Sequence, residues 1–309
     1  MTVLLVPAAC VTVARVVEPD RSFWLLLEGF TPVGLVLYGV ALVVLVARLV
    51  VVRRWWTWVA AGAALAGLLA HVWWFAPQVA GATAPPAAGA EPLVVMTANI
   101  SHGESDAAEL VELARDDRVD LLVVEEITPD DLAVLDRAGL ADLLPHRVGE
   151  PLPDSDGTMV FARRELRAEA PLATTHEGWV LGMGDLTVVA AHPQAPTAVA
   201  DWHADHARLL AAATEHDADL VVGDLNATTD HAPLRALADA GYRDAGELAN
   251  DGWQPTWPSS ARWTLLGPVP ALAQIDHVLV GPRLAAIGQH VVTIPGSDHR
   301  AVVAVVARK

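Results

Sequence analysis

A layered α/β (α+β) domain, carried behind an N-terminal transmembrane helical region, is the architecture that the sequence predicts. Three observations predict it. Apolar runs of strand length alternate with amphipathic stretches of helix length from residue 93 to the end. Two uncharged runs long enough to cross a bilayer precede them. Charge is split along the same line: residues 1–90 hold five Arg against Glu18, Asp20 and Glu28, while the remainder carries 15 basic and 34 acidic side chains, a net of −19. With 53% hydrophobic residues and a mean hydropathy of +0.37, a disordered or collagen-like chain is excluded. The acidic body opposes a long electrostatic grip on duplex nucleic acid, which needs clustered Lys and Arg; Lys309 is the only lysine. Cys10 is the only cysteine, so no intrachain disulfide and no Cys-based metal site can form.

The membrane region occupies residues 1–76, with spans expected at 2–17, 29–52 and 55–76. Gly29–Ala47 is nineteen residues without a charge, and Trp55–Ala76 is twenty-two more. Each crosses a hydrocarbon core of roughly 30 Å at about 1.5 Å per residue. Trp55, Trp56 and Trp58 mark one end of the last stretch and Trp73 and Trp74 the other, about 27 Å away on a helix, as interfacial anchoring requires. A pair of buried helices in a soluble core is the blander reading, and such long uncharged runs are rare there. Residues 2–14 are a shorter apolar stretch ended by Arg15. It lacks a basic start and a small-residue cleavage site, which favours a first span over a cleaved signal peptide. Arg48, Arg53 and Arg54 fall between the two long spans, and the positive-inside rule places them in the cytoplasm. The last span then runs outward. Residues 77–92, rich in Pro, Ala and Gly, read as an extended linker.

From 93 to 309 the expected strands are Leu93–Thr97, Asp120–Val124, Thr158–Ala162, Leu186–Ala191, Asp219–Val222, Gln274–Val280 and Ala301–Val306. Helices are expected at Asp106–Asp116, Asp130–Ala138 and Thr197–His216, with another capped by Asp230 and ending near Gly241. Polar residues stand at the strand ends: Asn99, Glu125–Glu126, His192, Asp224 with Asn226, Asp276 with His277, and Asp298–His299. One carboxylate at a strand end is ordinarily a solvated cap. Six such tips, each delivered by an apolar run, point to a common rim.

The segments TANIS, DLLVVEEIT, VVAAHPQAP, VVGDLNATTDH, IDHVLV and SDHRAVVA, in that order, resemble the endonuclease/exonuclease/phosphatase superfamily over about 93–308. The resemblance implies a four-layer sandwich, two mixed β-sheets face to face with helices outside, and an active site at one rim. It implies hydrolysis of a phosphoester, which needs charge neutralisation at phosphate, an activated water and help for the leaving oxygen. Glu126 carries over as the main metal-binding carboxylate, Asn99 as its neighbour and Asp298 as a further ligand. Hard oxygen donors suit Mg²⁺ or Mn²⁺. His299 carries over as the residue at the attacked phosphate, oriented by Asp276, and either removes a proton from water or stays charged to stabilise phosphate. Asp224 activates water or supports a metal, Asn226 holds a phosphate oxygen, and His192 is a second phosphate-contacting histidine.

The sequence departs from the family pattern in places. Glu125 stands where many relatives have Gln, and as the strand neighbour of Glu126 it is expected on the opposite face. Ser101 replaces an acidic residue of some nuclease relatives, which weighs against a second fixed metal. Arg163 either touches substrate or is solvated. His203, Asp205 and His206 have zinc-like spacing, but a wet helix face is the commoner explanation. His102 falls near the rim, where loop histidines are usually idle. Trp179, Trp202 and Trp257 are read as packing residues before pocket residues.

The expected protein is thus a membrane-anchored phosphoester hydrolase with an extracytoplasmic domain, most simply a phosphodiesterase or nuclease. Its partners are the bilayer and a phosphoester, whether nucleic acid, phospholipid headgroup or small molecule; no protein partner is indicated. A lipid or small-molecule phosphoesterase is the nearest alternative, and a non-catalytic membrane protein keeping the fold for binding is the alternative from another class. Topology is directly testable: alkaline phosphatase fused after Lys309 is expected to be active, and an active cytoplasmic reporter there would refute the orientation.

Overall fold

The computed structural model describes residues 2–52, 54–81, 85–259, 263, 264, 267, 268 and 270–309. Arg53 and part of the linker, residues 82–84, lie outside them. The N-terminal region holds α1 (Thr2–Val17), a short α2 (Ser22–Glu28), α3 (Val33–Val51) and α4 (Trp55–Phe75). The expected span at 29–52 therefore starts with a turn, and α2 precedes it. The helices approach closely because small residues face inward: Ala8, Ala41, Ala61 and Ala64 are buried with Leu45 and Tyr38 between α1, α3 and α4. A polar cluster ties the three helices at one end. Thr12 Oγ1 lies 2.9 Å from Tyr38 Oη and 3.1 Å from His71 Nε2, while His71 Nδ1 lies 2.9 Å from the Thr31 carbonyl. The rings fit because Gly34 and Gly67 face them; a Cβ on these residues would stand 2.2 Å from His71 and 2.4 Å from Tyr38. The outward faces of α3 and α4 are apolar and exposed, as at Val43 and Leu69, and both helices are long and apolar enough to cross a membrane.

The remainder is a four-layer sandwich. One six-stranded sheet contains β1 (Leu93–Asn99), β2 (Leu121–Glu125), β3 (His146–Val148), β4 (Thr158–Ala162), β13 (Leu284–Thr293) and β14 (Arg300–Arg308), ordered β13-β14-β1-β2-β4-β3. The other contains β5 (Leu166–Pro171), β6 (Trp179–Met183), β7 (Leu186–Ala190), β8 (Leu220–Asp224), β9 (Arg243–Asp244) and β12 (Asp276–Val280), ordered β5-β6-β7-β8-β12-β9. Both are mixed: β1 and β2 run parallel, as do β7 and β8, and the other pairs are antiparallel. A small hairpin, β10 (Trp263–Thr264) with β11 (Gly267–Pro268), stands apart.

Strand alternation builds the layers. One face of each sheet supplies the inter-sheet core, with Val95, Leu121, Val123 and Val302 meeting Leu181, Val188, Val222 and Val278. The opposite face of the first sheet packs on α5 (Ala107–Asp116), α6 (Pro129–Arg137) and α7 (Leu140–Leu143). That of the second packs on α8 (Val199–Glu215) and α9 (Ala232–Asp239), while α10 (Ala245–Ala249) adds Ala245 and Leu248 to the core between the sheets. Caps fix the helix starts: Asp106 accepts from the Glu109 amide, and Thr128 and Asp131 form a reciprocal capping box.

Several expectations need correction. Asp230 does not cap α9; His231 holds that position, and Asp230 accepts from Arg15 Nε at 3.0 Å. Of His203, Asp205 and His206 on α8, only His203 is exposed, where it pairs with Asp20; the other two are buried. Asp205 is fully buried and accepts from the Thr175 and Gln194 amides, and His206 packs on Trp202 beneath it. The linker begins packed: Gln78 is buried and donates to Glu247 and Thr229. Strands β3, β5, β6, β9, β10, β11 and β13 are not among those expected from sequence. In β5 the exposed Arg167 and Glu169 dilute the apolar signal, and β13 mixes polar and small residues along an edge.

The helix contacts give a prediction. Gly34→Ala and Gly67→Ala are each expected to lower the melting temperature of the full chain in detergent by several degrees. Gly39→Ala and Gly62→Ala, where an added Cβ meets nothing, are expected to leave it unchanged or raise it. Equal effects at all four positions would refute the packing.

Candidate active site

Register alone brings the polar tips together. Asn99 ends β1 and pairs with Glu125 at the end of β2; Asp224 ends β8 and pairs with Asp276 at the start of β12; His299 immediately precedes β14, which runs antiparallel to β1. All five ends lie at the same rim of the two facing sheets. Gly223 makes the approach possible: at φ 150° it passes so close to the β7 end that a Cβ would lie 1.9 Å from the Ala191 carbonyl oxygen.

Asn99 is the hub. Its Nδ2 donates to Glu126 Oε1 and to Asp224 Oδ2, both at 3.0 Å, and its Oδ1 accepts from the Ser101 amide at 2.9 Å. His299 Nδ1 stands 3.0 and 3.2 Å from the two oxygens of Asp276 and 3.8 Å from Asp224. Burial alone would lower the His299 pKa; Asp276, Asp224 and Asp298 around it outweigh burial and hold it at about 10. Asp224 is pushed up to about 7, first by burial and then by Asp276. The cluster thus holds a charged imidazole beside an easily protonated carboxylate.

Asp298 accepts from Ser101 Oγ at 2.7 Å and lies 3.9 Å from His299 Nε2. Asn226 is pinned by its amide, donating to Asp224 Oδ1, and by its side chain, donating to the Pro193 carbonyl. His192 is buried 3.6 Å from Asp224 and stacks on His176, ring centroids 4.4 Å apart. Burial, then His176 and His299, lower its pKa well below the ordinary value, so His192 is neutral. Ser101, His102, Glu126 and Asn226 all adopt positive φ, between 39° and 57°, a concentration of unfavourable backbone where the polar groups meet.

Eight of the nine residues proposed from sequence therefore converge. Arg163 does not. It follows β4 at the end where Ala162 pairs with Leu121, the far rim of the sheet, and binds the Val119 carbonyl and Asp120. Its neighbourhood in sequence puts it after that strand but does not say which rim of the sheet the strand end joins.

Glu125 and Glu126 part company in another way than expected. Glu126 lies beyond the strand, and its left-handed backbone turns its side chain to Asn99 and to His102 Nδ1, 2.7 Å away. Glu125 points between the sheets, fully buried, and accepts from Thr97 Oγ1 at 2.7 Å. Burial raises its pKa well above the ordinary value, and Asp276 and Asp224 raise it further, so it forms a neutral floor under the site. His102, weighed from sequence as a rim histidine, and Ser101, weighed as a replaced acidic residue, prove to be partners of Glu126 and Asp298, and His176 is the neighbour that sequence reasoning missed. Proximity to Asn99 was the one available signal for His102 and Ser101; His176 sits on a loop with none.

The donor set fits a hard divalent cation. Glu126 and Asp298 keep oxygens partly open to solvent at the rim, and with Asp224 and Asp276 they stand around the buried His299 imidazole. Asp224, Asp276 and His299 also bring ligand atoms within 4.8 Å of one another. In that trio, however, His299 Nδ1 is taken up by Asp276, which suits it to proton handling more than to ligation.

The sequence model of the Endonuclease/Exonuclease/phosphatase family matches residues 96–299, a span from β1 to His299 that contains every one of these side chains. The chain belongs to this family. Its enzymes hydrolyse phosphoesters and are generally dependent on divalent metal. Solved structures share the fold. A family protein from Bacteroides thetaiotaomicron is 12% identical with a TM-score of 0.55, covering 72% of this chain and 100% of its own. One from Beutenbergia cavernae is 21% identical with a TM-score of 0.53, covering 70% and 72%. The 3' phosphatase NExo from Neisseria, bound to a product DNA hairpin, is 17% identical with a TM-score of 0.54, covering 69% and 98%. At these identities the likeness is one of fold. No curated protein matches the chain.

The neutral floor has a measurable consequence. The folded chain keeps the Glu125 proton at pH values where the unfolded chain has lost it. That contribution to stability is full below the ordinary carboxyl value and declines as pH rises toward the raised folded value. Glu125→Gln keeps the shape and carries no proton. Its stability relative to the parent is expected to grow with pH, by up to about 1.4 kcal/mol per unit, over that window. Melting in EDTA between about pH 5 and pH 8 checks it; a constant difference would refute a neutral Glu125.

Proposed function

We propose that this protein is a membrane-anchored, Mg²⁺- or Mn²⁺-dependent phosphoester hydrolase of the phosphodiesterase type, with its catalytic domain outside the cytoplasmic membrane. The observation that carries the reading is the convergence of Asn99, Glu126, Asp224, Asn226, Asp276, Asp298 and His299 at one rim. Glu126 and Asn99, with Asp298, would hold the cation, which neutralises charge on the scissile phosphate when bound.

The chain's own groups supply the rest. His299, held charged by Asp276, donates from Nε2 to a phosphate oxygen and stabilises the charge that builds there. Asp276 fixes the ring by occupying Nδ1. Asp224, raised to about 7, accepts a proton from the attacking water. Asn226 and neutral His192 line the phosphate pocket as uncharged hydrogen-bonding groups. The base is thus Asp224, and His299 is the phosphate stabiliser.

Anchoring is supported by α3 and α4, long and apolar enough to cross a membrane and uncovered outside. The ends of α3 and α4 nearest the domain carry Thr31 and Phe75, while Arg48 and Arg54 lie at the other end of the bundle, roughly 25 Å away. Positive residues opposite the domain favour an extracytoplasmic site.

His299→Ala and Glu126→Gln are each expected to cut turnover of bis-p-nitrophenyl phosphate by about 10²-fold or more without lowering the melting temperature severely. EDTA is expected to abolish hydrolysis and Mg²⁺ or Mn²⁺ to restore it. Full activity in metal-free buffer would end this reading.

A further inference from the structure

The membrane region does more than tether the domain. Segment 15–30 is built into its wall. Arg15 pairs with Asp230, Ser22 Oγ donates to the Thr197 carbonyl at 3.1 Å, and the Leu25 carbonyl lies 2.8 Å from His231 Nε2. Arg235 pairs with Glu18 and Glu28, and Leu25 is buried in the core beneath α8 and α9. Helix α2 is thereby fixed along one side of the active site.

Between α2 and the domain runs a groove of about 410 Å³, within the range of small-ligand pockets. Its lining joins His299 and Asn226 of the candidate active site to Leu26 and Phe30, at the turn into α3. Pro196, Trp257 and Ile275 line the wall between. No Lys or Arg stands among the described lining residues. Phe23 and Leu26 of α2 are exposed, an apolar edge where α2 meets the first residues of the long span.

We infer that this groove holds the hydrocarbon tail of a membrane phosphoester, placing the headgroup phosphate at His299. The assignment rests on the hydrolase reading above and names its substrate class: an amphiphile with a phosphoester on an alkyl chain. A polynucleotide threaded through the same site would set its next phosphate against these apolar walls, with no described cation to meet it, on a domain of net −19. An alkyl chain needs only removal from water. Gly29 and Phe30, just before α3, belong to its lining, and lipid chains lie beside that helix if it spans the bilayer.

The test uses the full chain in detergent with Mn²⁺ and p-nitrophenyl phosphodiesters whose second ester is methyl, butyl, octyl or dodecyl. The expected result is a rise in kcat/KM of about tenfold or more from methyl to octyl, which burial of two methylenes suffices to give. Micelle partition also favours long tails, so the double variant Leu26→Gln, Phe30→Gln separates the causes. It is expected to keep the methyl ester rate and lose the gain with tail length. In vesicles of phosphatidylcholine carrying a diazirine near the headgroup, photolabel is expected on residues 195–197 and 257, in the domain outside α3 and α4. A flat response to tail length, the same gain in the double variant, or no label on those residues overturns the groove and leaves the hydrolase standing. So does hydrolysis of single-stranded DNA with a higher kcat/KM than the octyl ester. Failure to hydrolyse any ester defeats the hydrolase reading itself, and this assignment with it.

Discussion

Five carboxyl groups, Glu125, Glu126, Asp224, Asp276 and Asp298, crowd one rim of the sandwich around the buried His299 imidazole, and the rest of the site is arranged around that imbalance. Asp224 and Asp276 face each other across an antiparallel pair, with Glu125 beneath and Asp298 above. Like charges so close cannot all ionise in a buried setting. Glu125 answers by staying neutral, Asp224 by rising to about 7, and His299 by staying charged to about 10. Glu126, paired with His102, and Asp298, bonded to Ser101, lie where solvent reaches. A cation is a natural complement to carboxylates gathered at one rim.

Holding that arrangement takes rigid support. Asn99 spans two carboxylates from different sheets, so its amide stitches the halves of the sandwich together at the rim. Gly223 lets β7 and β8 converge under Asp224. A second buried pair, His277 with Asp244 at 2.8 Å, stands on the same strand as Asp276. Burial would discharge His277, but the Asp244 carboxylate outweighs it and raises its pKa. With the Ala227 carbonyl on the other ring nitrogen, this pair fixes β12 from below. Buried ion pairs contribute little net stability, but they select one geometry when every polar atom is met.

The N-terminal helical region and the domain are joined by contacts that are specific and polar as well as apolar. Arg15, Glu18, Asp20, Ser22 and Glu28 each find a partner in the domain. Gln78 does the same at the exit of α4. The distance from the active site to the start of α3 is therefore set by packed structure, not by linker length. A flexible tether would let the domain sample the surrounding volume; this one fixes which surface the site presents.

By itself the sequence determined the architecture and most of the site. Runs such as LLVV and LVVGD bury on both faces and so read as continuous apolar strands, and a polar residue after such a run falls at a sheet edge. The uncharged runs of nineteen and twenty-two residues likewise announce two long apolar helices, which α3 and α4 are. The order of motifs then named the family. What tertiary structure decided was everything that depends on direction and on distant neighbours. Arg163 lies at the wrong end of its strand, and no local pattern encodes which rim a strand end joins. Glu125 shares the site with Glu126 because the chain leaves the strand between them, turning left-handed where alternation would have kept the two apart. Asp230, Asp205 and Gln78 look like caps or solvated groups, yet their partners lie 215, 30 and 169 residues away. Short-range periodicity records which face a residue turns to the core. It holds no record of which remote segment arrives to meet that face, and α2 against the active site is such an arrival.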